Sequence, residues 1–143
     1  MSARLANEAW ESLLTAHATL MREFGERDIW CGATMREYDV LYTLSKCDGP
    51  QRITDLGQHL LLSQPGLSRL VERLTERGLV ERAGDPADGR AVRVALTEAG
   101  RALQRQIGRE HARDVTVAMS PLSPAELEQL ASLTRRLVPQ EAS

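Results

Sequence analysis

The most constraining feature of this chain is the order of patterns within residues 54–96 (TDLGQHLLLSQPGLSRLVERLTERGLVERAGDPADGRAVRVAL). Thr54 is placed to cap a short helix over 55–61. Ser63 offers a second N-cap, with Pro65 inside the first turn, where its missing N–H costs nothing. The helix that follows, 64–77, puts Leu67, Leu70, Val71 and Leu74 on one side of a helical wheel. Gly78 stands at its C′ position. Residues 79–82 then read as a strand and 85–89 (Asp, Pro, Asp and Gly) as a turn. Residues 91–96 read as a second strand with Val92, Val94 and Leu96 on one face. Few folds accept a short helix, a tight connection, an amphipathic helix and a hairpin in immediate succession.

The flanks are helical. Over residues 3–28, Leu5, Ala6, Trp10, Leu13, Leu14, His17, Leu20, Met21 and Phe24 recur by threes and fours, the signature of a long amphipathic helix. Such a helix carries more apolar surface than one small domain covers, which points to a partner chain. Gly32 marks a stop. Thr34 with Glu37 forms a capping box for a helix burying Tyr38, Leu41, Leu44 and Cys47, ended by Asp48, Gly49 and Pro50. Arg52 and Ile53 suggest a very short strand. Thr97 caps a helix to about Met119. Ser123, Pro124 and Glu126 open a last one, with Leu127, Leu130, Leu133 and Leu137 as its seam and Pro139 as its stop.

Chemistry enters on the exposed side of residues 64–77. Ser63, Gln64, Gly66 and Ser68 are small or polar, and Arg69 and Arg73 follow. Such a tip enters a major groove, where Gln reads adenine and Arg reads guanine or holds phosphate. The helix N-terminus offers free N–H groups to the backbone phosphates. Glu72 and Glu76 fit an ordinary surface helix equally well, pairing with Arg69, Arg73 or Arg77 at helical spacing. The hairpin tips the balance. Arg90 at its tip and Arg93 on its rising strand suit a minor groove, and Asp88 is placed to orient the Arg90 guanidinium. The expected fold is mainly α with a small β wing, a winged helix-turn-helix. The helix-turn-helix covers 54–77, the wing 79–96 and the whole DNA-binding lobe 34–96.

These residues also resemble a known family. A helix ending V-x-x-L-x-x-x-G-L-[VI]-x-R, a wing with D-x-x-D-x-R and a helix opened by L-T-x-x-G are the pattern of the MarR family (multiple antibiotic resistance regulators). Val71, Leu74, Gly78, Leu79, Val80, Arg82, Asp85, Asp88, Arg90, Leu96, Thr97 and Gly100 stand at those positions. The resemblance spans nearly the whole chain and implies one domain, 1–143. It implies a homodimer built on helices within 3–30 and 97–139, with two recognition helices in successive major grooves of a palindromic operator. It implies a repressor that a small-molecule effector releases by favouring the DNA-incompetent spacing of the two lobes. The residues assigned to double-stranded DNA are Arg52, Thr54, Ser63, Gln64, Pro65, Gly66, Ser68, Arg69, Arg73, Arg77, Asp88, Arg90 and Arg93.

Effector candidates gather near the junction of the first two helices. Trp10 matches a branch of the family in which a Trp on the first helix helps bind purine-like or aromatic ligands; packing at a dimer interface is the alternative. Trp30, Met35 and Tyr38 line the same junction as ligand contacts or as core, and His17 is grouped with them or faces solvent. Cys31 is a candidate redox thiol, resembling the peroxide-sensing members, and a reactive thiol needs a lowered pKa. Cys31, Glu110 and His111 partly resemble a zinc-sensing set, but Val115 stands where a second His would complete it, and no metal or cofactor is assigned.

Composition narrows the class. Net charge is −2, and of the 18 basic side chains Lys46 is the single lysine. Arg suits bidentate contacts to phosphate and guanine, although genomic bias gives the same count. No apolar run reaches a membrane span of about 18 residues, and the N-terminus lacks a signal-peptide core; the expected location is cytoplasmic. Nucleophile–base pairs, phosphate-binding Gly loops and metal motifs are missing, so an enzyme is not expected. A thiol-based redox regulator and a winged-helix protein-interaction module are the alternatives.

Overall fold

The computed structural model describes residues 2–61, 65–84, 87 and 92–140. In chain order the elements are α1 (Ala3–Gly25), α2 (Met35–Ser45), β1 (Gln51–Arg52), α3 (Ile53–His59), α4 (Leu67–Glu76), β2 (Val80–Gly84), β3 (Val92–Leu96), α5 (Glu98–Met119) and α6 (Pro124–Arg135). The protein is mainly helical with one small antiparallel sheet ordered β1-β3-β2. Two compact units, Met1–His111 and Ala112–Ser143, divide the chain within α5.

The larger core of the first unit joins Val40, Leu41 and Leu44 of α2, Leu56 of α3, and Val71 and Leu74 of α4 to Leu79, Val80, Val94 and Leu96. Each fully buried Leu or Val contributes about 1.5–3 kcal/mol. The wing hairpin keeps strict register from Val80 opposite Leu96 to Gly84 opposite Val92, while Arg52 pairs with Arg93 from the other edge. Val94 is thereby central and wholly buried.

Two motifs lock the helices to this sheet. At the end of α4 the Gly78 N–H donates to the Thr75 carbonyl and the Leu79 N–H to that of Leu74. That closure needs the left-handed φ of +73° that Gly78 adopts. The Thr97 hydroxyl donates to the Gly78 carbonyl at 2.6 Å and accepts from the Gly100 N–H at 3.1 Å, capping α5.

A second cluster of the same unit packs Trp30, Tyr38 and Ile107 with Phe24, Ile29, Met35 and Leu103 around them. The second unit holds the end of α5, the turn at 120–122 and α6. The expected capping box is formed: Glu126 N–H donates to Ser123 Oγ, and Ser123 N–H to the Glu126 carboxylate.

Four boundaries differ from expectation. First, α1 ends at Gly25, because residues 26–30 turn inward so that the Trp30 indole N–H donates to the Phe24 carbonyl at 3.0 Å. Second, α3 begins at Ile53 directly after β1; Arg52 is its N-cap, extended and making no side-chain capping bond, so Thr54 is not the cap. Third, α2 stops at Ser45, ahead of Cys47 and the 48–50 break. Fourth, α4 begins at Leu67 after a left-handed Gly66, φ +77°. A left-handed residue cannot continue a helix behind it, so Pro65 lies in the approach to α4 and not in its first turn. The expected Ser63 cap falls outside the described residues.

Candidate nucleic-acid interface

Helix α4 is divided as its pattern demands. Leu70, Val71 and Leu74 are buried and Leu67 is half-buried, which ties the helix to α2, α3 and the sheet. Pro65, Gly66, Ser68, Arg69, Glu72 and Arg73 are exposed. The approach to the helix is thus small and uncharged, and its outer face carries two guanidinium groups one turn apart. Gly57 of α3 faces Leu67 of α4: a Cβ there would lie 3.4 Å from a Leu67 methyl, an ordinary contact.

The remaining assigned residues fall in three groups. Thr54 is exposed on α3, while Arg52 and Arg93 are half-buried and face each other as a register pair in the sheet. Ser63, Gln64, Asp88 and Arg90 lie outside the described residues. Arg77 stands apart from Arg69 and Arg73, because its guanidinium, though exposed, lies against other groups of the chain. Nη1 lies 3.6 Å from the buried Glu37 carboxylate and 3.4 Å from the Gly32 carbonyl, and Nη2 lies 3.4 Å from the Cys31 carbonyl.

The effector candidates separate as well. Trp30 and Tyr38 are buried with their rings 5.6 Å apart, and Met35 packs beside them. Trp10 and His17 are exposed on α1 and take no part in this cluster. Sequence reasoning weighed His111 only within the partial zinc-sensing set and missed its place in this aromatic cluster. Its ring lies 5.1 Å from Phe24, 5.4 Å from Trp30 and 5.8 Å from Tyr38, so three aromatic rings surround an imidazole. The signal was available, because Leu103, Ile107 and His111 recur every four residues on the inward face of α5. Tyr38 reaches α5 beside Gly108, where a Cβ would lie 3.2 Å from its hydroxyl. Burial pushes the Tyr38 phenol above its usual range, and the Gln104 side chain's hydrogen bond opposes that rise.

Cys31 is exposed, with a left-handed φ of 53° and the Gln106 amide 3.6 Å from its sulfur. Burial, and then the neighbouring Asp48, push the Cys47 thiol up, away from the reactive thiolate form. Among the described residues, no three His, Cys, Asp or Glu side chains are gathered as metal ligands.

A helix pair whose second member exposes small residues and arginines, followed at once by an antiparallel hairpin, defines a winged helix-turn-helix protein. Residues 32–91 match the family model described as MarR family. An uncharacterized HTH-type transcriptional regulator of Bacillus subtilis, YkoM, is 34% identical over 98 residues, 68% of this chain and 61% of that protein. A probable transcriptional regulator from Pseudomonas aeruginosa superimposes with a TM-score of 0.80 at 31% identity, covering 94% of this chain and 99% of the other. BpsR of Bordetella bronchiseptica, whose DNA binding is regulated by 6-hydroxynicotinic acid, superimposes at 0.78 with 26% identity, covering 91% and 98%. The chain belongs to the MarR family, whose members are transcriptional regulators and not enzymes. It spans 61% and 63% of the length of the first two curated relatives it matches.

Proposed function

We propose that this protein is a homodimeric, sequence-specific DNA-binding regulator that represses transcription from a palindromic operator and is released by a small aromatic effector. The observation that carries this reading is the two-sided build of α4. One face is buried in the core, and the other presents Gly66, Ser68, Arg69 and Arg73 beside a hairpin. The wing tip, 85–91, supplies Asp88 and Arg90 by sequence.

Dimerisation is supported by apolar surface that the described residues leave uncovered. On α1 these are Leu5, Trp10, Leu13 and Leu14, with Trp10 more than half exposed. On α5 and α6 and just beyond they are Val117, Leu130, Leu133 and Leu137. A large exposed apolar stripe marks an association surface. The dimerising region, as expected from sequence, draws on 3–30 and 97–139, and the DNA lobe on 34–96. The aromatic effector is supported by BpsR and by the Trp30, Tyr38 and His111 rings next to α2. No helix of the described residues is long and apolar enough to cross a membrane, and a cytoplasmic regulator fits that.

The test is a gel-shift titration on the DNA upstream of the protein's own gene, with sedimentation of the free protein. The expected result is a dimer forming a saturable complex whose affinity falls steeply with salt. A monomer, or no salt-sensitive complex with any palindrome there, would overturn the proposal.

A further inference from the structure

The first turn of α2 touches both approaches to the recognition helix. Arg36 Nη2 donates to the Pro65 carbonyl at 2.5 Å, just ahead of α4. The next residue, Glu37, faces Arg77 at the C-cap of α4. Two consecutive side chains therefore reach the two ends of one helix. We infer that Arg36, together with the Glu37–Arg77 pair, positions the recognition helix for DNA without contacting DNA itself. This inference rests on the DNA-binding reading above.

Local backbone chemistry explains why such ties are needed. Gly66 is left-handed, and a Cβ added there would meet nothing within 4 Å, so no side chain packs against it on that side. The Pro65 carbonyl precedes the helix. The first intrahelical bonds, from the Arg69 and Leu70 N–H groups, go to the Gly66 carbonyl instead. A short charge-assisted bond from α2 holds the residue just ahead of this left-handed turn.

The other end is held differently. Glu37 is buried, and its Oε1 accepts from the Thr34 hydroxyl at 3.3 Å while its Oε2 faces Arg77. Arg77 also reaches the carbonyls of Cys31 and Gly32, consecutive residues that both have left-handed φ. These contacts are 3.4–3.6 Å long, so their hold is mainly electrostatic. Glu37 is adjacent in sequence to Tyr38 of the aromatic cluster, so anything that shifts this turn acts on both ends of α4 together.

The experiment compares wild type, Arg36→Ala, Arg36→Lys and the double variant Arg77→Ala/Glu37→Gln. The double variant leaves no unpaired buried carboxylate. The probes are a palindromic duplex selected by the wild-type protein from a random-sequence library and a scrambled duplex of equal length. Affinity is measured across a salt series, and thermal unfolding is measured without DNA. Arg36→Ala is expected to weaken the selected duplex about tenfold, the scale of one charge-assisted hydrogen bond. The scrambled duplex, the salt slope and the unfolding temperature should stay as in wild type, and Arg36→Lys should restore binding because its ammonium still reaches a carbonyl. The double variant should also lose selected-duplex affinity at constant slope. A salt slope reduced by about one, with equal loss on both duplexes, would make Arg36 a phosphate contact and overturn the inference. Unchanged affinity in both Arg36→Ala and the double variant would overturn it too. If the wild-type protein selects no duplex, the DNA-binding reading itself falls; the other outcomes bear on the positioning role alone.

Discussion

Gly100 lies so close to Leu79 that a Cβ placed on it would sit 1.9 Å from the Leu79 carbonyl oxygen. This backbone-on-backbone approach seats the start of α5 against the strand that leaves the recognition helix. Nothing flexible is available to move aside, since the obstructing atom belongs to the main chain. Gly100→Ala is therefore expected to destabilise the protein by about 2–3 kcal/mol, the upper part of the range for overpacking, although Ala favours a helix interior by about 1 kcal/mol. Thr97→Ala, which removes the cap but causes no clash, should cost about 1 kcal/mol. Denaturant unfolding at one fixed protein concentration checks both, and a Gly100→Ala variant as stable as wild type would show that α5 can shift freely.

The same pair shows what a single sequence discloses. The run L-T-x-x-G was visible as a motif, but its reason was not, because the Leu79 carbonyl lies across a turn and a hairpin from Gly100. Periodicity located the long helices, since burial of one face dictates spacing directly, and capping and turn residues located the rest. Boundaries failed where a tertiary contact outweighed a local signal. Pro65 suited a first helical turn by sequence, yet a left-handed Gly66 puts Pro65 ahead of α4, where its carbonyl accepts from Arg36. The aromatic cluster was half legible. Trp30, Met35 and Tyr38 are close in sequence and proved close in space, whereas His111 arrives from a distant helix. Trp10 was singled out through the family resemblance, with dimer packing as its alternative, and its exposure on α1 places it outside this cluster.

Arg69 and Arg73 are both exposed and one helical turn apart on α4, so their separate roles in DNA binding are open to dissection. An arginine reading a base edge loses about 1–3 kcal/mol of specific binding on truncation and relaxes preference at one position. An arginine on phosphate weakens all duplexes alike and lowers the salt slope by about one. Arg69, nearer the tip of the helix, is expected to behave in the first way and Arg73 in the second. Gel shifts of Arg69→Ala and Arg73→Ala on selected and scrambled duplexes over a salt series decide it. Wild-type affinity in both variants would mean that this face of α4 does not meet DNA.

The uncovered apolar residues allow an independent test of assembly. Leu133 of α6 and Trp10 of α1 are each 56% exposed. A charge placed in the middle of a buried apolar interface opposes association by several kcal/mol. Trp10→Glu and Leu133→Glu are expected to shift sedimentation from dimer to monomer while leaving the helical circular dichroism of each chain largely intact. Operator affinity should fall with dimerisation, because a monomer engages one half-site only. A Leu133→Glu chain that stays dimeric would remove α6 from the interface.

Tyr38 should report on its own surroundings through pH. Burial holds its phenol above the usual value of about 10. The proton is therefore bound more tightly in the folded chain than in the unfolded one. Below pH of about 10 both states keep it, and the folded state loses nothing. As pH rises beyond that, the unfolded chain ionises first, and stability falls until the folded phenol titrates in turn. The chain has two tyrosines, so tyrosinate absorbance should show a late phase that disappears in Tyr38→Phe. The same substitution should flatten the alkaline fall in stability and cost about 0.5–1.5 kcal/mol at neutral pH, for the hydrogen bond with Gln104. If the phase that Tyr38→Phe removes is the early one near pH of about 10, that hydroxyl lies in solvent, outside the packed cluster with Trp30 and His111.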